Sequence, residues 1–412
     1  MPETSRQRVL NAVNHNQPDR VPIDFSSHRA SSIMAVAYRR LREYLGLPDL
    51  PPRIHDVIQH LAIVDDDVLE RFGIDTIDLC RSFSEDETDW KPWKLPDGSD
   101  CLIPAWTNIR KEGDDWFLCS ADGKKLGIQK PHMFNFDQTF WPMKDDIPED
   151  LSNILEISNG ILWTIPGLPN PAVTTPTDIT KAAEALRKST DKAIVATVPF
   201  GGRLMEMGQF LCRNDNFLMM LAAEPKAVHR LMDSLVEMYL PRMEEFLEAV
   251  GPFIDIVRFG DDLGMQTGPQ ISPAMYREFF KPLHSLLWNK AKEMTGKKVL
   301  LHCCGGIRPL LDDLIDAGLD AINPVQTSCN GMDPAGLKAD FGDRLCFWGG
   351  GCDTQSVLPL ATPEEVRAHV LKRLEIFSPG GGFVFQQIHN ITAEVPPENI
   401  VAMFDAIAEF NG

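Results

Sequence analysis

The chain has 412 residues, 43% of them hydrophobic, enough for a large buried core in one generous domain or two ordinary ones. With 40 Lys and Arg against 59 Asp and Glu, the formal net charge is -19 and no basic run offsets it, which excludes nucleic acid as a natural partner. No apolar span of membrane-crossing length is present, MPETSRQRVLNAVNHNQPDR carries no apolar leader core, and nine cysteines in a chain of this size read as thiols of a reducing cytoplasm.

In chain order, residues 5–16 read as a short helix that the polar turn Asn16-Gln17-Pro18-Asp19-Arg20 ends before the extended run VPIDFSS, 21–27. Helical patterns follow over about 31–46 and 58–71, then a second strand, IDTIDL, at 74–79. Segment 82–150 changes character: Trp90, Trp93, Trp106, Trp116 and Trp141 sit among Asp, Gly and Lys, and the Ala121-Asp122-Gly123 turn predicts a β-hairpin inside an insertion. Its tryptophans suit either a ligand mouth or a small satellite core. From 172 the alternation is regular. A helix at 176–188 precedes strand AIVATVPF, 193–200, and long helical stretches between 203 and 249 precede strand FIDIVRFGDD, 253–262. A helix opening at Ser272-Pro273 runs to about 295, followed by strand KVLLHCC at 298–304, a helix near 307–317 and strand LDAINPVQ at 319–326. A brief helix near 334–340, strand RLCFWGG at 344–350, a helix capped by Thr362 and Glu365, strand GFVFQQ at 382–387 and helix 397–409 complete the chain. Eight strands alternating with helical patterns predict an α/β chain, residues 1–412 forming a single (β/α)8 TIM barrel with an inserted subregion at about 82–150 after the second strand, in preference to an open doubly wound sheet.

In such a barrel the active site lies at the C-terminal strand ends, which gathers Asp261, His302, Cys304, Gln326, Cys352 and the residues after Gln387 around one opening. His302 and Cys304 form a His-x-Cys pair where the fifth strand runs into glycine-rich loop, and imidazole with thiolate is a donor set that suits zinc. Cys303 alternates to the opposite side and reads as a packing thiol. His389, after the eighth strand, lies at the same level and completes a three-ligand set with one zinc position open to substrate, although a core histidine is more often a hydrogen-bonded structural residue. Cys352, after Gly349-Gly350-Gly351, is its rival as third ligand. Asp261 and Asp262, with neighbouring Arg258, are candidates for acid–base work, or equally for an ordinary ion pair. Asn323, Gln326, Gln355 and Asn390 supply neutral polar groups for gripping a substrate. No dinucleotide or Walker fingerprint occurs.

RQRVLNAVNHNQPDRVPIDF at the start, GDDLGMQTGPQISPAMYREFFKP at 260–282 and VPPENIVAMFDA at 395–406 together resemble the uroporphyrinogen decarboxylase superfamily over nearly the whole chain. That resemblance implies a (β/α)8 barrel, and either cofactor-free decarboxylation or zinc-dependent methyl transfer with a corrinoid protein. The decarboxylase branch carries an arginine-rich loop after the first strand and an aspartate after the second, where this chain has Ser26-Ser27-His28-Arg29-Ala30 and Leu79-Cys80-Arg81. The methyltransferase branch carries His-x-Cys after the fifth strand and a cysteine after the eighth; His302 and Cys304 match the first part, and His389 falls at the second cysteine's place. The resemblance therefore implies a methyltransferase holding Zn2+ and moving a methyl group between methylcobalamin, or another corrinoid on a separate partner protein, and a small-molecule donor or acceptor. A decarboxylase or lyase acting on a different carboxylic acid is the first alternative, and a non-enzymatic small-molecule-binding protein the second.

Overall fold

The structure, a computed structural model, describes residues 2–83, 85–165, 167–170 and 173–412. Seven parallel strands lie side by side in the order of the sequence: β1 (Thr76–Asp78), β2 (Ala193–Thr197), β3 (Ile256–Gly260), β4 (Lys298–His302), β5 (Ala321–Asn323), β6 (Cys346–Trp348) and β7 (Phe383–Val384). Their sheet curls until its two edges meet the extended segment 21–25. Phe385 N donates to Pro22 O at 2.9 Å and Asp24 N to Phe385 O at 2.8 Å on one side, and Asp75 N donates to Ile23 O at 2.9 Å on the other. The closed ring has the eight members expected of a TIM-like barrel. Each observed strand falls inside its expected range and is shorter, because both ends run into loop.

Alternation along the strands sorts the side chains into two cores. Ala193, Val195, Ile256, Leu300, Ala321, Cys346, Trp348 and Val384 fill the barrel, and helix Ser5–Val13 plugs its bottom with Val9, Ala12 and Val13. Ile194, Val257, Phe259, Val299, Leu301 and Phe347 face outward into a larger core shared with the surrounding helices. The layering is what brings every second residue above the plug to one polar opening.

The insertion contains an antiparallel pair, Trp90–Lys94 with Asp100–Pro104, and a four-stranded antiparallel sheet, Asn108–Glu112, Asp115–Cys119, Lys125–Gln129 and Asp137–Gln138. The Ala121-Asp122-Gly123 turn joins two of these strands as expected, with Gly123 at φ 90°, a left-handed angle that glycine adopts freely. Trp93 meets Trp116 edge-on at 5.8 Å and His60 at 5.2 Å, so these two tryptophans serve a satellite core.

One helix is corrected. The pattern over 58–71 yields a helix only at Asp66–Arg71, and its first part is a hairpin, Ile54–Asp56 against Leu61–Ala62. Asp56 Oδ1 accepts the backbone N–H groups of Ile58 and Gln59 at 2.9 and 3.1 Å, an Asx turn, and His60 takes φ 53°, which no continuing α-helix accommodates. Among the described residues, no helix is long and apolar enough to cross a membrane.

Candidate metal centre

Strand alternation on β4 puts Leu300 and His302 inside the barrel and Leu301 and Cys303 outside, and Cys304 returns to the inner side just past the strand end. Cys303 Sγ accepts the Leu263 N–H at 3.2 Å, away from the opening. His389, beyond β7, swings over the same opening: its ring centroid lies 5.6 Å from that of His302, and Cys304 Sγ is 3.4 Å from His302 Nε2. One donor atom each of His302, Cys304 and His389 falls within 4.8 Å of the other two. Bonds of roughly 2.0–2.3 Å from a shared zinc span such a triangle with small side-chain adjustments, and two imidazoles with one thiolate are a fitting donor set for that ion.

The surrounding residues orient this triad. Asn323, the inward residue at the end of β5, gives Nδ2–H to Trp348 O at 2.8 Å and to Gln386 Oε1 at 2.7 Å. That arrangement leaves its Oδ1 to accept from His302 Nδ1 at 2.6 Å and frees His302 Nε2 for a metal. Asp262 Oδ1 accepts the Cys304 N–H at 2.7 Å and lies 3.9 Å from His302 Nε2. Burial pushes the imidazoles of His302 and His389 down to about 3 and about 4, keeping both neutral as ligands must be. Burial and Asp262 hold the Cys304 thiol well above its usual range, a bias that a bound cation would reverse. Burial, reinforced by Asp262, also raises the Glu206 carboxyl to about 8. His28, fully buried and 3.5 Å from Asp24 Oδ2, completes the wall, its ring 6.5 Å from that of His302.

The other expected site residues divide. Asp262 is at the cluster, but Asp261 is not: it faces outward, accepts the Met205 and Glu206 N–H groups at 3.0 and 2.8 Å at the start of helix Met205–Cys212, and meets His284 Nε2 at 3.1 Å. Both its oxygens are taken, so it ties the 260–282 segment to the start of that helix instead of facing the opening. Asn323 is likewise occupied in orienting His302, not open to a substrate. Gln326 Oε1 accepts the Gly305 N–H at 2.9 Å, and Gln355 Oε1 accepts from Gln266 and Ser328 on the loop surface. Asn390 Nδ2 donates to Gln59 at 3.0 Å. Cys352 does not join the triad: its backbone bridges Gln387, and its thiol belongs to the outer core, near Asp353 and Arg373.

Beside the cluster opens a cavity of about 390 Å3, lined by Arg29, Asp78, Trp163, Phe200, Arg203 and Arg258 among others. Asp78 overturns one expectation. Leu79-Cys80-Arg81 left no aspartate after the second strand, yet Asp78 is the inward residue at the end of β1, its carboxyl raised to about 6 by burial. The alternation in IDTIDL was the signal for it. Arg203 and Glu206 lie in the stretch after β2, where no periodicity marks them.

The profile of the uroporphyrinogen decarboxylase family matches residues 172–410, a range that includes all three members of the triad. The uroporphyrinogen decarboxylase of Psychromonas ingrahamii is 28% identical over 196 residues, 47% of this chain and 51% of that protein. That of Cellvibrio japonicus is 28% identical over 195 residues, with the same coverage of each. The chain thus spans about half the length of the curated relatives it matches. A methyltransferase from Methanosarcina mazei shares the fold across 99% of both chains, with a TM-score of 0.57 at 16% identity.

Proposed function

The chain belongs to the uroporphyrinogen decarboxylase family, and within it we propose a zinc-dependent methyltransferase that exchanges a methyl group between a small molecule and a corrinoid carried by a separate protein docked over the barrel mouth. The observation that carries this reading is the triad His302, Cys304 and His389, with donor atoms within 4.8 Å of one another. Zinc held there would supply Lewis-acid activation of the heteroatom that gives up or receives the methyl group. The protein does the rest. Asn323 fixes the His302 tautomer, and Asp262 holds the loop at Cys304. Glu206 and Asp262 stand beside the triad as the groups able to hold or release a proton at that heteroatom.

Metal analysis of protein purified without chelator is the first test. About one zinc per chain is expected, lost in His302→Ala, Cys304→Ala and His389→Ala; a metal-free protein that does not take up zinc sinks the reading. Loss of the methylcobalamin absorbance with candidate acceptors tests the transfer itself. A second reading, decarboxylation of a small acid without metal, is favoured by Asp78 and Arg258 facing the same cavity. It is told apart by carbon dioxide release from the metal-stripped enzyme.

A further inference from the structure

Arg258 was singled out in the sequence as a neighbour of two carboxylates, but it sits apart from both. It is an inward residue of β3, 4% exposed, and it lines the cavity. Its Nε has no hydrogen-bond partner, and Nη1 makes only a long contact, 3.4 Å, to Thr197 Oγ1. Among the described residues no carboxylate oxygen forms an ion pair with it. A buried guanidinium in that state is costly unless something else meets its charge.

The other two arginines of the cavity each lie against a carboxyl group. Arg203 Nε lies 3.2 Å from Glu206 Oε2, and Arg29 Nε 3.2 Å from Asp56 Oδ2. Among the described residues Arg258 is therefore the cavity arginine with no carboxylate in contact, and Asp78 on the same lining acts on it only at longer range. The same lining has an aromatic part: Trp163, stacked on Phe210 at 5.3 Å, and Phe200. Phe200 is held at φ 57°, followed by Gly201 and Gly202 at 69° and 61°, a left-handed run in which Phe200 is the strained member. Gly202 is required there, since a Cβ would come within 2.5 Å of Phe259.

We propose that this cavity binds a small monoanionic organic acid, its carboxylate on Arg258 and its apolar ring against Trp163 and Phe200. A single guanidinium with no carboxylate in contact suits one carboxylate, and Asp78 on the same lining opposes a second negative charge, which disfavours a phosphate dianion. The volume, about 390 Å3, lies at the small end of the usual ligand range of roughly 300–1,000 Å3 and admits a substituted benzoate but not a tetrapyrrole. Position links the cavity to the metal cluster: Arg258 stands two residues before Gly260, whose register partner is His302. The inference deepens the methyltransferase reading by naming the substrate class. It rests on that reading only for the fate of the methyl group.

The test is calorimetric titration of the purified full chain, stripped of metal, with 4-methoxybenzoate, with its neutral counterpart 4-methoxybenzyl alcohol, and with inorganic phosphate. The acid is expected to bind, the alcohol at least tenfold more weakly, and phosphate not measurably. Arg258→Met should weaken the acid by roughly 10- to 100-fold, the loss expected for a buried hydrogen bond to a charged group, while leaving the alcohol unchanged. Arg258→Lys, which retains the charge without the planar fork, should fall between and serves if the methionine variant does not fold. Equal binding of acid and alcohol, tighter binding of phosphate, no binding of the acid, or an acid affinity indifferent to position 258 would each overturn the proposal. Binding as expected without any methyl transfer would leave it standing and remove the methyltransferase reading instead.

Discussion

Asn323 shows how a single residue sets the chemistry of the proposed centre. An imidazole presents Nε2 to a metal only when Nδ1 carries the proton, and the Asn323 carbonyl oxygen, 2.6 Å away, holds that proton in place. The amide cannot flip, because its nitrogen is committed to Trp348 O and Gln386 Oε1. Asn323→Ala should therefore lower zinc affinity roughly 10- to 100-fold, read by competition with a chromophoric chelator, with the far-ultraviolet circular dichroism unchanged. Unaltered affinity would show that His302 is oriented by packing alone. The triad itself was legible in the sequence because period-two alternation puts His302 and Cys304 on one side of a strand and Cys303 on the other. Asp78 was less legible because it is the last residue of the strand and not part of the loop that follows it. Arg203 and Glu206 come from a loop and a helix start, where neither period two nor period 3.6 applies. Asp261 was misplaced for the opposite reason: adjacent residues at a strand end face opposite sides, so only one of Asp261 and Asp262 can reach the opening.

At the scale of the element, the insertion is fastened to the barrel through the Ile54–Asp56 hairpin region, and His60 is the pin. Its ring packs on Trp93 at 5.2 Å and Phe136 at 5.8 Å, with both ring nitrogens buried and without hydrogen-bond partners. Burial pushes the imidazole down to about 4, with Asp56 opposing. An unfolded histidine titrates near 6.5, so between that pH and about 4 the unfolded chain binds a proton that the folded chain refuses. Stability is then fully present above about pH 6.5 and declines as the pH falls toward 4, by on the order of 3 kcal/mol from this residue. His60→Asn keeps a residue that tolerates the left-handed backbone at φ 53° but cannot titrate in this range. Urea midpoints at a series of pH values should show a slope shallower by about one proton in the variant, with tryptophan fluorescence following the same transition. An identical slope would mean that His60 does not govern the docking. The hairpin was hidden in the sequence because its apolar residues mimic a helical stripe. Only the side-chain turn at Asp56 and the backbone reversal at His60 break the pattern.

Over the whole molecule, the barrel's architecture was readable because eight strands recur with helices between them, a regularity that belongs to the chain and not to any one residue. How the ring closes was not readable, since closure depends on contacts between residues far apart in sequence. The segment 21–25 carries little ladder of its own, and Asp75 makes up the difference. Fully buried, it takes Arg8 Nη1 at 2.7 Å from the plugging helix, both Arg20 Nη1 and Nη2 at 2.9 and 2.8 Å, and the Ile23 N–H at 2.9 Å. One carboxylate thus ties the bottom plug, the closing segment and the edge of the sheet. Asp75→Asn preserves shape but leaves Arg20 without its counter-charge and Arg8 with Asp19 alone, so the cost falls below the roughly 3–5 kcal/mol of a fully stranded buried pair. The expected signature is a lower urea midpoint with an unchanged m value, because the native surface stays the same. Arg8→Met alone should also destabilise, and combining it with Asp75→Asn should cost less than the sum of the two, since the second change removes a charge the first had already stranded. Strict additivity would mean that the two groups act separately, and that the ring is closed by its backbone bonds alone.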